Sequence, residues 1–232
     1  MRDHQKLMTT ESRFNKPVFA DHYHYGETKG EEIPFIIYVG GALTEEEYIA
    51  RQDTTPDAIV YEFDKAVAEQ KMSSADLLII PPPVSESQAS GKLRKEFLHF
   101  VVFDLLPLTS NPRPQNTGFV GFSFGAFLAA CLTFDLPRSR ALATLGGTGM
   151  AEAAWDSPAH AFADKKFKAF ATADDPMAME NYKFLHALVA NDIDMDPELG
   201  EGGHSFDDYV NTGFVVQAFS FVLAHMPHIR TD

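Results

Sequence analysis

Cysteine is nearly absent. Cys131 is the only one in the 232 residues, so no disulfide forms within the chain, and such usage fits a reducing cytoplasm. No run of eighteen apolar residues occurs, so no membrane-spanning helix is expected. The first thirteen residues, Met1 to Arg13, are polar and contain no apolar signal-peptide core, so a secretory leader is not expected either. Basic residues are scarce beside acidic ones, 19 against 33, for a formal charge of −14. That balance argues against nucleic acid and anionic membranes as partners and towards a neutral or weakly charged small molecule. The length suits one domain with a substantial core. No repeat, low-complexity tract or boundary divides the chain, so residues 1–232 are read as one domain with 1–13 as a flexible N-terminal arm.

What is present centres on Gly121-Phe122-Ser123-Phe124-Gly125, a G-x-S-x-G stretch. The apolar run Thr117-Gly118-Phe119-Val120 before it reads as a buried strand, and Phe124 to Thr133 after it as a buried helix. Strand, sharp turn and helix form the context in which such a serine is held in a strained conformation with its hydroxyl exposed. The small residues two before and two after it let strand and helix pass close to the turn.

The rest of the chain alternates between the two periodicities. Lys16 to Tyr25, with Val18, Ala20, His22 and His24 on one side, reads as a strand turned by Gly26 and Gly30. Ile33 to Val39 is a buried strand ending at Gly40-Gly41. Thr44 with Glu47 resembles a capping box. Thr55-Pro56-Asp57 signals a second helix start, continued by Ile59, Phe63, Ala66 and Val67 at helical spacing. Ala75 to Ile80 is a strand stopped by Pro81-Pro82-Pro83. Leu93, Phe97, Val101 and Leu105 stripe a helix, and Asn111 to Pro114 is a loop into the serine turn. Beyond it come a strand at Ala141–Leu145, another at Lys168–Thr172, a helix from Pro176 to Ala190, a short strand at Ile193–Met195 and a closing helix from Phe206 to Met226. Strands alternating with crossover helices imply a mostly parallel sheet covered on both faces.

With these motifs in order, the chain resembles the α/β-hydrolase superfamily, in its compact serine-esterase branch. Thr172-Ala173-Asp174-Asp175-Pro176 is similar to the turn that carries the family's acid, and Gly202-Gly203-His204-Ser205-Phe206 to its histidine loop. The resemblance implies an α/β-hydrolase fold, with a mostly parallel central sheet, helices on both faces and a small or absent lid. It implies Ser123 as nucleophile, His204 as base and Asp174 as acid, with the neighbouring Asp175 as the alternative; Asp175-Pro176 also reads as a helix cap. Of nine histidines, only His204 stands on a glycine-rich turn after a late strand, where loops gather at the carboxyl ends of a parallel sheet. The implied oxyanion hole takes the amide of Phe124 and one from Gly41 or Ala42, although Val39-Gly40 replaces the family's usual His-Gly opening.

Phe122 and Trp155 are candidate substrate-binding residues, with Phe124 as a further aromatic beside the nucleophile. The segment between Gly149 and Lys165 is short for a lipase lid, which favours water-soluble esters. The implied activity is hydrolysis of a small or medium-sized ester through an acyl-enzyme on Ser123. Transfer of the acyl group to another acceptor, or a non-catalytic binding protein on the same fold, are the alternatives. No cofactor and no metal are expected. Asp192, Asp194 and Asp196 space like a calcium loop, but Pro197 and Gly203 stand where that loop needs glycine and glutamate. His22 and His24 show no third ligand in sequence. Gly146 to Gly149 lacks the lysine of a phosphate loop and reads as a tight strand exit.

Overall fold

Eight strands make one sheet in the computed structural model: β1 (Arg2–Thr9), β2 (Val18–Tyr25), β3 (Phe35–Val39), β4 (Ala75–Ile80), β5 (Thr117–Phe122), β6 (Ser139–Leu145), β7 (Lys166–Thr172) and β8 (Pro197–Gly200). The residues described are 2–9, 14, 18–26, 33–51, 56–72, 74–82, 91–111, 114–193, 195 and 197–226. The strand order is β1-β2-β4-β3-β5-β6-β7-β8. β2 runs antiparallel to both its neighbours, and every pair from β4 to β8 is parallel.

The central strands are apolar on both sides because both sides are covered. Phe35, Ile37 and Val39 of β3 enter one core, together with α3 (Gly91–His99), α4 (Phe124–Asp135), α5 (Met150–Trp155) and α6 (Ala178–Val189). Ile36 and Tyr38 enter the other, with α2 (Asp57–Glu69), α7 (Phe206–Asn211) and α8 (Phe214–Ala224). α4 is buried along its length except for Asp135. A helix that is apolar all round has no solvent face to offer, and this one lies between the sheet and neighbouring helices. Its C-terminal carbonyls are satisfied by Lys165, whose ammonium donates to the carbonyls of Thr133 and of Leu136 (3.1 Å) and to the hydroxyl of Ser139 (2.7 Å).

The expected capping box is present at α1 (Glu45–Arg51): the Glu47 amide donates to the Thr44 hydroxyl at 3.2 Å, and the Glu47 carboxylate accepts from the Thr44 amide at 2.8 Å. α2 follows Pro56; its expected cap Thr55 lies outside the described residues, as do Gly30, Pro83, Pro112 and Arg113.

Four elements differ from the sequence reading. Residues 2–9 of the expected arm are an edge strand, paired along β2 by backbone bonds, with Leu7 its one buried side chain. An edge strand needs little apolar content, so periodicity does not reveal it. The final strand is not Ile193–Met195 but Pro197–Gly200. Asp192 takes φ 60°, and the Ile193 amide turns back to the Leu188 carbonyl at 3.0 Å, so Ile193 closes the end of α6 instead. The closing helix is broken by Gly213 at φ 75° into α7 and α8. α3 does not continue as a regular helix; Phe100–Leu105 forms a π-helical segment.

His22 and His24 face the buried carboxylate of Asp76, their Nε2 and Nδ1 lying 3.2 and 2.9 Å from its Oδ1. No metal-holding group of three or more ligand side chains occurs among the described residues; Asp194 and Asp196 lie outside them. No helix among the described residues is long and apolar enough to cross a membrane.

Candidate active site

Ser123 stands between β5 and α4 at φ 54°, ψ −127°. Such a conformation costs on the order of 1–3 kcal/mol for a non-glycine residue. It is held by the Ser123 amide donating to the Leu145 carbonyl (2.9 Å) and by the Ser123 carbonyl accepting from the Ala126 amide (3.0 Å). The flanking glycines are required by close approach. A Cβ on Gly121 would lie 2.5 Å from the Ala126 Cα, and one on Gly125 would strike the carbonyl oxygens of Val39 and Gly40. The chain leaving β3 is thereby pressed against the start of α4.

His204 reaches this point from the far side of the sheet. The loop after β8 turns at Gly202 (φ 116°). The Thr172 hydroxyl donates to the Gly203 carbonyl at 2.6 Å and ties the loop to the end of β7. Ser205 and Asp208 then form a capping box that starts α7. The half-buried imidazole lies flat against Phe122, with ring centroids 5.4 Å apart.

His204 Nε2 is 2.8 Å from Ser123 Oγ, and its Nδ1 is 2.7 Å from Oδ2 of Asp175. A carboxylate can only accept, so Nδ1 carries the proton and Nε2 is the acceptor for the serine hydroxyl. The acid at the imidazole is therefore Asp175, and the expectation of Asp174 is corrected. The turn after β7 decides the matter. The Asp175 amide closes back on Thr172 (3.1 Å) and the Asp174 amide bonds the Gly202 carbonyl (3.0 Å). Asp174 is left exposed while Asp175 is 4% exposed. The capping role read for Asp175 coexists with this, because its Oδ1 accepts from the Met177 amide at 2.7 Å.

Sequence reading missed Tyr209. Its hydroxyl donates to Asp175 Oδ2 at 2.6 Å. Burial and the Asp175 carboxylate both hold the phenol above its ordinary pKa, so it remains a donor. Gly146, at φ 52°, leaves room for the pair: a Cβ there would lie 2.5 Å from both oxygens. The only trace in the sequence is a tyrosine on the first helix after the histidine loop, which is too common to single out.

The other candidates divide. The Phe124 amide stands at the first position of α4, where helical N–H groups have no internal partner. Gly41 borders the serine, with a Cβ position 3.5 Å from the Ser123 Cβ. Ala42 follows it on an exposed stretch of the same loop. Phe122, Gly41 and Ala42 also line a cavity of about 410 Å³. Phe124 is core, 1% exposed and stacked on Phe127. Trp155 ends α5, is 56% exposed and does not line this cavity. The segment carrying it buries Met150, Ala151, Ala153 and Ala154 in the core and forms no lid.

One reversed strand in an otherwise parallel eight-stranded sheet, with a serine turn after β5 and a histidine loop after β8, defines the α/β-hydrolase fold. Solved esterase structures share it. The chain is similar to the feruloyl esterase module of Clostridium thermocellum, solved as a mutant with sinapinate, at TM-score 0.71 and 12% identity over 100% of this chain and 91% of that one. It is similar to an esterase of Pyrobaculum calidifontis at TM-score 0.65 and 14% identity, covering 96% and 85%. It is also similar to the enterochelin esterase of Shigella flexneri at TM-score 0.66 and 16% identity, covering 94% and 57%. No protein-family profile matches the sequence, and no curated protein matches it. At these identities the likeness establishes the fold.

Proposed function

We propose that the protein is a serine hydrolase that cleaves a small or medium-sized ester through an acyl-enzyme on Ser123. The observation that carries this is the unbroken hydrogen-bonded line from Ser123 Oγ through His204 to Asp175, at 2.8 and 2.7 Å. A serine hydroxyl is a weak nucleophile until a base takes its proton.

In the proposed reaction Ser123 Oγ bonds to the ester carbonyl carbon and its proton passes to His204 Nε2. The oxyanion is met by the amide of Phe124 and one from the Gly41–Ala42 loop. As the carbonyl re-forms, the bond to the alcohol oxygen breaks and His204 returns the proton to that oxygen. Water, deprotonated by the same Nε2, then attacks the acyl-enzyme, and Ser123 leaves with the proton. Asp175 holds the imidazole in the required tautomer and stabilises its cation. The reading also takes the site to work without metal or cofactor on a water-soluble ester. Its cytoplasmic setting rests on the single cysteine.

The test is hydrolysis of a chromogenic acetate ester together with labelling by a fluorophosphonate. Wild-type protein should hydrolyse and be labelled at Ser123. Ser123→Ala should lose both while keeping its melting temperature, and equal activity in that variant overturns the mechanism.

A further inference from the structure

The cavity of about 410 Å³ beside Ser123 is mostly apolar, walled by Ile79, Phe122 and Phe206 among others, yet two buried polar groups stand in it. Tyr38 is 2% exposed, and its hydroxyl makes no hydrogen bond among the described residues. Burial holds that phenol above its ordinary pKa, so it stays protonated and able to donate or accept. Asp21 is 3% exposed; its Oδ1 is engaged by His4 Nε2 at 2.8 Å, and no second donor to this carboxylate is found among the described residues. Both side chains line the cavity, where a ligand or water can complete their hydrogen bonding.

Strand register places these groups in one row. Asp21 pairs with Ile79 across β2 and β4, Ile79 with Tyr38 across β4 and β3, and Tyr38 with Val120 across β3 and β5. Residues paired in register point to the same face, so Asp21, Ile79 and Tyr38 form a floor that starts beside the serine strand. Phe122, two residues beyond Val120, is on the same face and leads to Ser123. Tyr38 is one strand from β5, about 5 Å, and Asp21 three strands, about 14 Å, at strand spacing. An arm of the substrate lying along this floor meets apolar walls first, then a hydroxyl, then a carboxylate.

We propose that the site takes esters with one apolar arm ending in a hydrogen-bond donor, a hydroxyl or an amine, which Tyr38 and Asp21 receive. This rests on the serine-hydrolase reading and extends it to a substrate class. The Asp21 carboxylate, acceptor only, accepts the hydrogen bond of the terminal group, and the Tyr38 hydroxyl donates to a terminal hydroxyl or accepts from a terminal amine. A plain alkyl arm leaves the Tyr38 hydroxyl without a hydrogen bond and Asp21 with His4 alone, and a carboxylate arm is repelled by Asp21, while the exposed Arg51 and Asp57 line the same cavity with opposite charges. A site built around buried hydrogen-bonding groups discriminates more sharply against an analogue lacking the partner than an apolar pocket does against a methylene.

The experiment measures kcat/KM of the wild-type protein on esters whose arm of four to eight carbons ends in methyl, hydroxyl, amine or carboxylate. One series carries the arm on the acyl side with a chromogenic leaving group, the other on the alcohol side of an acetate, followed by acid release. Donor-ended arms should exceed methyl-ended arms of equal length by about ten-fold or more in one series, with carboxylate-ended arms lowest. Tyr38→Phe and Asp21→Asn should each reduce that ratio. Wild-type protein that hydrolyses the plain acetate and labels at Ser123, but shows a ratio near one at every length in both series, overturns the proposal and leaves the hydrolase reading intact. Absence of both hydrolysis and labelling removes that reading and this proposal with it.

Discussion

The hydroxyl of Tyr209 and the Nδ1 of His204 converge on one oxygen, Oδ2 of Asp175, at 2.6 and 2.7 Å. The carboxylate that faces the imidazole is thus itself fixed from below by a buried phenol, and the Met177 amide holds its other oxygen at 2.7 Å. Three donors leave it one orientation.

Removing the phenol's donor should therefore be visible in a pH profile. In Tyr209→Phe the carboxylate loses a hydrogen bond of about 1.5–3 kcal/mol, the range for bonds to charged groups. Relieved of that donor, it attracts the proton on the imidazole more strongly. The acid limb of kcat/KM should move to higher pH and kcat should fall several-fold, read on a chromogenic acetate from pH 5 to 9. An unshifted limb would make Tyr209 a packing residue only.

The two adjacent aspartates should separate cleanly. Asp175→Asn should lower kcat by about ten-thousand-fold, because an amide can present N–H to Nδ1 and favour the wrong tautomer. Asp174→Asn, altering an exposed side chain, should stay within two-fold of wild type. The reverse order would contradict the geometry.

Gly125→Ala tests the close approach under the serine turn. Its Cβ would run into the carbonyls of Val39 and Gly40, backbone that cannot swing aside. Overpacking of this kind costs about 3 kcal/mol or more where nothing yields. The urea midpoint should fall accordingly, and labelling of Ser123 should weaken because the β3 loop moves with it.

Lys165 should leave a signature in alkaline stability. Burial lowers its ammonium to about 8 from the ordinary 10.5. The folded protein gives up this proton before the unfolded chain does, so the unfolded state binds more protons between those values. By linkage, stability from this group rises with pH across that window and is absent below it. In urea titrations at pH 7 to 10, wild type should gain on Lys165→Met as pH increases above 8. A gap that stays constant would mean that the ammonium, held by three oxygen acceptors, keeps its ordinary titration.

Much of this molecule is local. Gly121 to Gly125 is readable because the turn, the close approach and the nucleophile lie within five residues, and the Thr44–Glu47 cap for the same reason. The buried strands β3, β4 and β5 are readable because a strand covered on both faces is a nearly continuous apolar run, broken in β4 only by Asp76. The edge strand Arg2–Thr9 is not, since backbone pairing with β2 holds it with a single buried side chain. Trp155 attracts attention in the sequence as the lone tryptophan, yet it ends a helix on the surface.

The sequence by itself determined the alternation of strands and helices and the strained serine, set by short-range sterics and periodicity, while the histidine loop is read from its resemblance to the family's. Tertiary structure decided which of two neighbouring aspartates turns inward, that a tyrosine 34 residues later should meet it, and that Asp21 and Tyr38 share a floor beside the serine. Those outcomes depend on the order of strands in the sheet and on the direction of side chains at its edge. Neither is encoded within any one window of the chain.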